Sequence, residues 1–100
     1  MDDIQLKLNE SGRGAFVIEK EGERLAEMEI GIQNGNLTVF HTEVADLLKG
    51  QGIASKLLST MVSYARENNL KVTPLCPYVQ AQFKRHPDQY QDIWNRKWHH

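Results

Sequence analysis

Leu47-Leu48-Lys49-Gly50-Gln51-Gly52-Ile53-Ala54-Ser55-Lys56-Leu57-Leu58 is the stretch on which the fold turns. A glycine-rich turn runs straight into an amphipathic helix. Gly50 and Gly52 allow backbone angles and close approaches that a side chain blocks. The first amides of the helix have no intrahelical acceptors. With the helix dipole they favour an anion, most naturally a phosphate or pyrophosphate. A glycine pair before a helix is also ordinary tight-turn chemistry, so the pair alone does not establish a ligand. The Lys-Ser/Thr ending of a nucleotide-hydrolysing P-loop is missing. The stretch also follows several strands, whereas the glycine loop of a dinucleotide fold follows the first.

Downstream, Ile53, Leu57, Leu58, Met61, Val62 and Ala65 recur at helical spacing until Asn68-Asn69. Lys71 to Cys76 reads as a fifth strand, in which Pro74 needs an edge or a bulge. Pro77 opens a helix over Tyr78 to Arg85 and Pro87 stops it. Asp88 to Trp98 reads as a last short helix or turn with Tyr90, Ile93, Trp94 and Trp98 available to pack.

Upstream, Ile4-Gln5-Leu6-Lys7-Leu8 alternates as a half-buried strand does. Ser11-Gly12-Arg13-Gly14 breaks it, and Ala15 to Lys20 and Arg24 to Ile32 are the second and third strands. Asn34-Gly35 is a hairpin signal because both residues tolerate positive φ. The fourth strand is Asn36 to Val44. A two-residue loop pairs Gln33 with Asn36, Ile32 with Leu37, Ile30 with Val39 and Met28 with His41. Opposed residues share a face, so His41 and then Glu43 are expected on the apolar side. Strand, loop, helix and strand at these lengths imply a crossover and parallel pairing of strands four and five.

Composition narrows the function classes. One hundred residues make one domain, 1–100, with 98–100 readable as a tail or the start of a tag at His99-His100. A formal net charge of -1 offers no basic field for nucleic acid. No run reaches the roughly 18 apolar residues of a membrane span. Asp2 and Asp3 stand where a signal peptide carries positive charge. The single cysteine excludes an internal disulfide framework and fits a reducing compartment, so a cytoplasmic protein is expected. A monomer or weak dimer is the expected state.

The run Lys49-Gly50-Gln51-Gly52-Ile53-Ala54, after a strand and before a helix, resembles the acyl-CoA pyrophosphate loop of the GNAT superfamily of N-acyltransferases. That loop usually reads Gln/Arg-x-x-Gly-x-Gly/Ala. Gly52 and Ala54 match its last two fixed positions, and Lys49 stands in place of the Gln or Arg. Larger members have one or two helices between strands one and two, where this chain has only Gly12-Arg13-Gly14. That omission, with His41-Thr42-Glu43-Val44, Cys76-Pro77-Tyr78-Val79 and His86-Pro87, resembles the compact, YjdJ-type GNAT-like family over about residues 4 to 94. The resemblance implies a minimal GNAT-like α/β fold. A mixed sheet of about five strands has its first four antiparallel and its fourth and fifth parallel and splayed. One main helix and one or two C-terminal helices complete it. The short first connection implies a shallow, open acceptor site, suited to an exposed chain segment.

The implied chemistry is acetyl transfer from acetyl-CoA, with no metal, to an exposed primary amine such as a lysine or N-terminus of a protein or peptide. The alternative is an acyl-CoA-binding module or sensor with little turnover. The amides of Gly50, Gln51, Gly52, Ile53, Ala54 and Ser55 would face the pyrophosphate, with Lys49 or Lys56 adding charge; ordinary solvated surface is the other reading of both lysines. Val44 and Ala45 would contact the thioester through backbone groups. A lysine amine, which ordinarily loses its proton only near pH ~10.4, needs a base. His41 titrates in the right range, and Glu43 could orient it or act instead; His41 on an apolar stripe could equally be a core residue. Cys76, before a helix start, could accept the acetyl group or simply pack beside the thioester. Tyr78 and Lys84 follow on the same helix as candidate CoA contacts, with packing and solvated surface as their other readings.

Overall fold

The computed structural model describes residues 3–96; Trp98, His99 and His100 lie outside them. A five-stranded sheet runs in the order β1 (Gln5–Leu8), β2 (Arg13–Lys20), β3 (Glu23–Gln33), β4 (Asn36–Val44) and β5 (Lys71–Pro74). The first four strands are antiparallel and β5 is parallel to β4. Helix α1 (Ile53–Glu67) crosses from β4 to β5, and α2 (Pro77–Arg85) and the single turn α3 (Pro87–Tyr90) follow. The mixed five-stranded α/β architecture expected from the pattern is therefore the one observed. The second strand starts at Arg13 because Gly14, with no side chain, can pair with both Leu8 and Ile30. A Cβ on Gly14 would stand 1.8 Å from the Lys7 carbonyl oxygen.

The helices cover one face. Leu57, Met61 and Ala65 of α1 are fully buried against Phe16, Met28, Ile30, Leu37 and Val39. Burial of each large side chain contributes about 1.5–3 kcal/mol. Among the described residues no helix covers the opposite face. Two cross-strand rows, Lys7–Ala15–Glu29–His41 and Gln5–Val17–Glu27–Glu43, lie on it. Ala15 and Val17 are buried there, among long charged side chains that pair as Lys7–Glu19, Arg24–Glu27 and Arg13–Glu29.

The short helix or turn expected after Asp88 is present as α3 and the turn that follows it, and the chain beyond takes a place on the sheet. Pro87 opens α3 rather than only stopping α2. The chain then extends along the outer edge of β5. Val72 N–H donates to the Ile93 carbonyl at 2.6 Å, and Asn95 N–H to the Val72 carbonyl at 2.8 Å. By alternation the nitrogen of Pro74 also faces that outer edge, so β4 loses no ladder bond to it. Phe83 of α2 stacks on Tyr90 at 4.5 Å and meets Trp94 edge-on, which anchors the segment.

Arg66, in the last turn of α1, grips the same segment. Its Nε donates to Asp92 Oδ2 at 2.9 Å, and its Nη2 to Asp92 Oδ1 at 3.2 Å and the Gln89 carbonyl at 2.7 Å. The Arg66 hydrogen bond holds the Asp92 carboxyl below its usual range. A carboxylate so lowered stabilises the fold above its unfolded pKa, and the contribution fades as pH falls through the lowered value. Asp92→Asn is therefore expected to cost about 0.5–1 kcal/mol at pH 7. The gap to wild type should close on acidification below the ordinary Asp value of ~3.9, as read by urea unfolding across pH.

Candidate active site

Two features converge at one end of the sheet. The first is the glycine loop. After β4, Asp46–Leu48 forms a 3-10 turn, followed by Gly50 at φ 84° and Gly52 at φ 72°. These left-handed angles are the ones glycine adopts without strain. Nothing lies within 4 Å of where a Cβ would stand on either residue, so the space over the loop is open. Gly52 is the N-cap of α1 and supplies no side-chain cap; the first helical bond is Lys56 N–H to the Gly52 carbonyl at 3.1 Å. The amides of Ile53, Ala54 and Ser55 precede that bond. No acidic residue stands in the first turn to repel an anion. Lys49 pairs with Asp46 at 2.9 Å on the exposed side of the loop. Gln51 bends back, its Nε2 donating to the Leu47 carbonyl at 3.4 Å.

The second feature is a split between β4 and β5. Their ladder pairs Asn36–Val39 with Lys71–Pro74 and stops. The Val39 carbonyl accepts the last two bonds, from Leu75 N–H at 3.0 Å and Cys76 N–H at 2.9 Å. β4 continues to Val44 while the other chain turns into α2. Ala45 N–H donates to the Leu25 carbonyl of the β3 segment at 2.7 Å, and its own carbonyl accepts Leu48 N–H. The Ala45 amide is therefore engaged within the fold, and its carbonyl keeps one free lone pair. Alternation turns the Val44 amide to the opposite side, toward the split.

The split begins at a β-bulge. Val39 pairs with Ile30, but His41 pairs with Glu29 and Thr42 with Met28, leaving Phe40 as an extra residue in β4. The expected pairing of Met28 with His41 is thus corrected by one residue. A one-residue slip reverses which face every later side chain takes. His41 and Glu43 consequently leave the apolar stripe for the helix-free face, where they are 56% and 72% exposed. The core-histidine alternative ends there. His41 Nε2 stands 3.7 Å from Glu43 Oε1. Thr42 and Val44 take the inward positions. The Phe40 ring fits over Gly31, where a Cβ would come within 3.1 Å of it, and the Arg13 guanidinium lies 4.3 Å above.

Cys76 is 2% exposed and is the N-cap residue of α2. Its partner on β4 is Thr42: Oγ1 and Sγ are 3.3 Å apart. The candidates are thus divided between faces, with Cys76 on the helix side and His41 and Glu43 on the other. Tyr78 packs against the core edge, and burial, then the charges of Tyr90 and Cys76, push its hydroxyl above the usual tyrosine value. Lys84 is exposed and reaches Gln80 along α2. Thr42 is the site residue that strand alternation alone misses. Its signal is present in the sequence: apolar positions change from odd at Leu37 and Val39 to even at Val44.

A groove of about 390 Å³ lined by Ile4, Leu6, Phe16, Ser63 and Tyr64 lies between β1, β2 and α1. β1 and β5 are opposite edges of the sheet, so this groove is remote from the split and its chemistry.

An α/β domain with a glycine-cradled helix start beside a split parallel pair is the class these features define. The family model described as GCN5-related N-acetyl-transferase matches residues 15–93, and the chain belongs to that family. A GCN5-like protein from Staphylococcus aureus, solved in solution by NMR, matches with a TM-score of 0.68 at 34% identity, over 100% of this chain and 99% of its own. Proteins called NATD1 from Gallus gallus and Mus musculus are 29% identical over 75 residues, 75% of this chain and 58% of theirs. The chain thus spans little more than half the length of those relatives.

Deleting Phe40 should leave the pairs Ile30–Val39 and Glu29–His41 consecutive in a regular ladder, with His41 still outward and Thr42 and Val44 still inward. Only the contacts of the Phe40 ring with Gly31 and Arg13 are lost, so a cost of about 1–2 kcal/mol is expected. Urea unfolding with a full fit of slope and midpoint checks it.

Proposed function

We propose that the domain binds acetyl-CoA and transfers its acetyl group to an exposed primary amine, a lysine or N-terminus of a protein or peptide. The observation that carries this reading is the opening of the β4–β5 split beside the uncapped start of α1. In this reading the amides from Gly50 to Ser55 hold the pyrophosphate, because unpaired N–H groups and the helix dipole both favour an anion. Val44 N–H points into the split and would polarise the thioester carbonyl, a donor fixed before charge develops. The acceptor approaches from the helix-free face, where His41 and Glu43 are exposed and able to take the amine proton. Cys76, on the other side of the split, packs beside the thioester or takes the acetyl group itself. A cytosolic setting, which the single free cysteine suits, belongs to the same reading.

A second reading, an acyl-CoA-binding module with little turnover, is favoured by one observation. β1 and β2 are joined only by residues 9–12, held by Asn9 Oδ1 accepting from the amides of Ser11 and Arg13. Such a turn builds no wall around an acceptor.

Native mass spectrometry with acetyl-CoA tests binding, and CoA release with a panel of amines separates enzyme from module. An adduct with turnover supports the first reading, an adduct without turnover the second, and no adduct overturns both. Gly52→Ala should cost only about 1 kcal/mol of stability, since space around it is open, yet weaken acetyl-CoA binding at least tenfold by calorimetry. Cys76→Ala should abolish any thiol-labile acetyl mass on the protein; unchanged turnover in that variant would exclude an acetyl-cysteine route.

A further inference from the structure

We propose that Thr42 is a positioning residue of the acyl-transfer site, its hydroxyl holding the Cys76 thiol in one rotamer at the mouth of the β4–β5 split. The inference rests on the acyl-CoA reading above and names a residue that reading does not use. Thr42 Oγ1 and Cys76 Sγ meet at 3.3 Å, although the residues are 34 apart in sequence. The contact spans the gap beyond the last backbone bonds between the strands, those to the Val39 carbonyl. Those bonds place the Cys76 backbone. They leave its χ1 a choice of three staggered wells. A packed apolar wall selects a well by shape alone, whereas a hydrogen bond selects it by direction as well.

The residue type supports the role. Valine has the shape of threonine and would fill the same inward position of β4 without a hydroxyl to satisfy. Thr42 is partly buried, so its hydroxyl needs a partner, and the thiol is that partner. Either group can donate to the other, so the contact does not depend on one orientation of the hydrogens. The bulge at Phe40 makes this possible. Were Phe40 paired regularly instead of bulged, position 42 would face the helix-free side and His41 would face Cys76's side of the sheet. Thr42 therefore acts through Cys76: it aims the thiol along the split, where the thioester would lie.

The chain's single cysteine makes the test specific. In protein labelled with 13Cβ-cysteine, the Hα–Hβ couplings report one side chain. Wild type is expected to give the couplings of a single staggered rotamer. Thr42→Val is expected to give averaged, intermediate couplings, Thr42→Ala the same, and Thr42→Ser to restore the single rotamer. The alanine variant guards against a packing fault in the valine one. Averaged couplings in wild type, or unchanged couplings in both hydroxyl-deleted variants, overturn the proposal. Acetyl-CoA is then added to the same samples. It is expected to shift the Cys76 signal in wild type. A Thr42-dependent rotamer with no shift on acetyl-CoA would overturn the acyl-CoA reading, and with it any role of Thr42 toward a thioester. A shift in wild type with a rotamer indifferent to Thr42 would overturn the positioning role alone.

Discussion

Phe40 is an extra residue in β4, and its ring is held between the bare backbone of Gly31 and the guanidinium of Arg13. The site depends on that packing. Before the bulge, β4 is an ordinary strand with a parallel partner; after it, the strand is rotated by one position and has no partner on that edge. A bulge bends the strand that carries it and increases its local twist. The same point ends the ladder with β5, because the Val39 carbonyl is the last acceptor for the neighbouring chain. One local irregularity therefore opens the sheet and sorts the chemical side chains onto its two faces.

The rest of the molecule holds the two sides of the split rigid. On one side, β4 is locked to β3 along its whole length. On the other, the four residues of β5 are short for an edge strand, and the C-terminal segment completes their outer side. Asn36 Oδ1 gathers Thr73 and Asn95 in one partly buried cluster, which ties β4, β5 and the final segment together just below the split. The aromatic stack of Phe83, Tyr90 and Trp94 and the Arg66 grip on Asp92 secure the same segment from the helix side. Stability is thus concentrated away from the glycine loop, whose helix start is left uncapped. That arrangement is what a site for an anion requires: donors presented to solvent on a frame that does not need them for its own stability.

The family gives the domain a class of chemistry, and this chain's geometry gives that chemistry two sides. Exposed His41 and Glu43 face a surface with no helix over it, bordered by the charged rows of β2 and β3. Cys76 and Thr42 face the core. A group lying in the split would have His41 and Glu43 on one side and Cys76 on the other.

Much of this was legible in the sequence, for physical reasons. The spacing of Ile53, Leu57, Met61 and Ala65 dictates a helix with one buried face, Asn34-Gly35 dictates a tight hairpin, and Gly50 and Gly52 favour a turn at positive φ. These are local effects, and strand order, helix span and the glycine loop all follow from them. The faces of His41, Thr42 and Glu43 did not follow, because alternation is counted along one strand while a bulge is decided between strands. The count changes at Phe40, which packs with Arg13 over Gly31, 9 residues away and on the neighbouring strand. The meeting of Thr42 with Cys76 and the docking of the C-terminal segment on β5 likewise required the tertiary structure, since each joins residues that no local pattern relates.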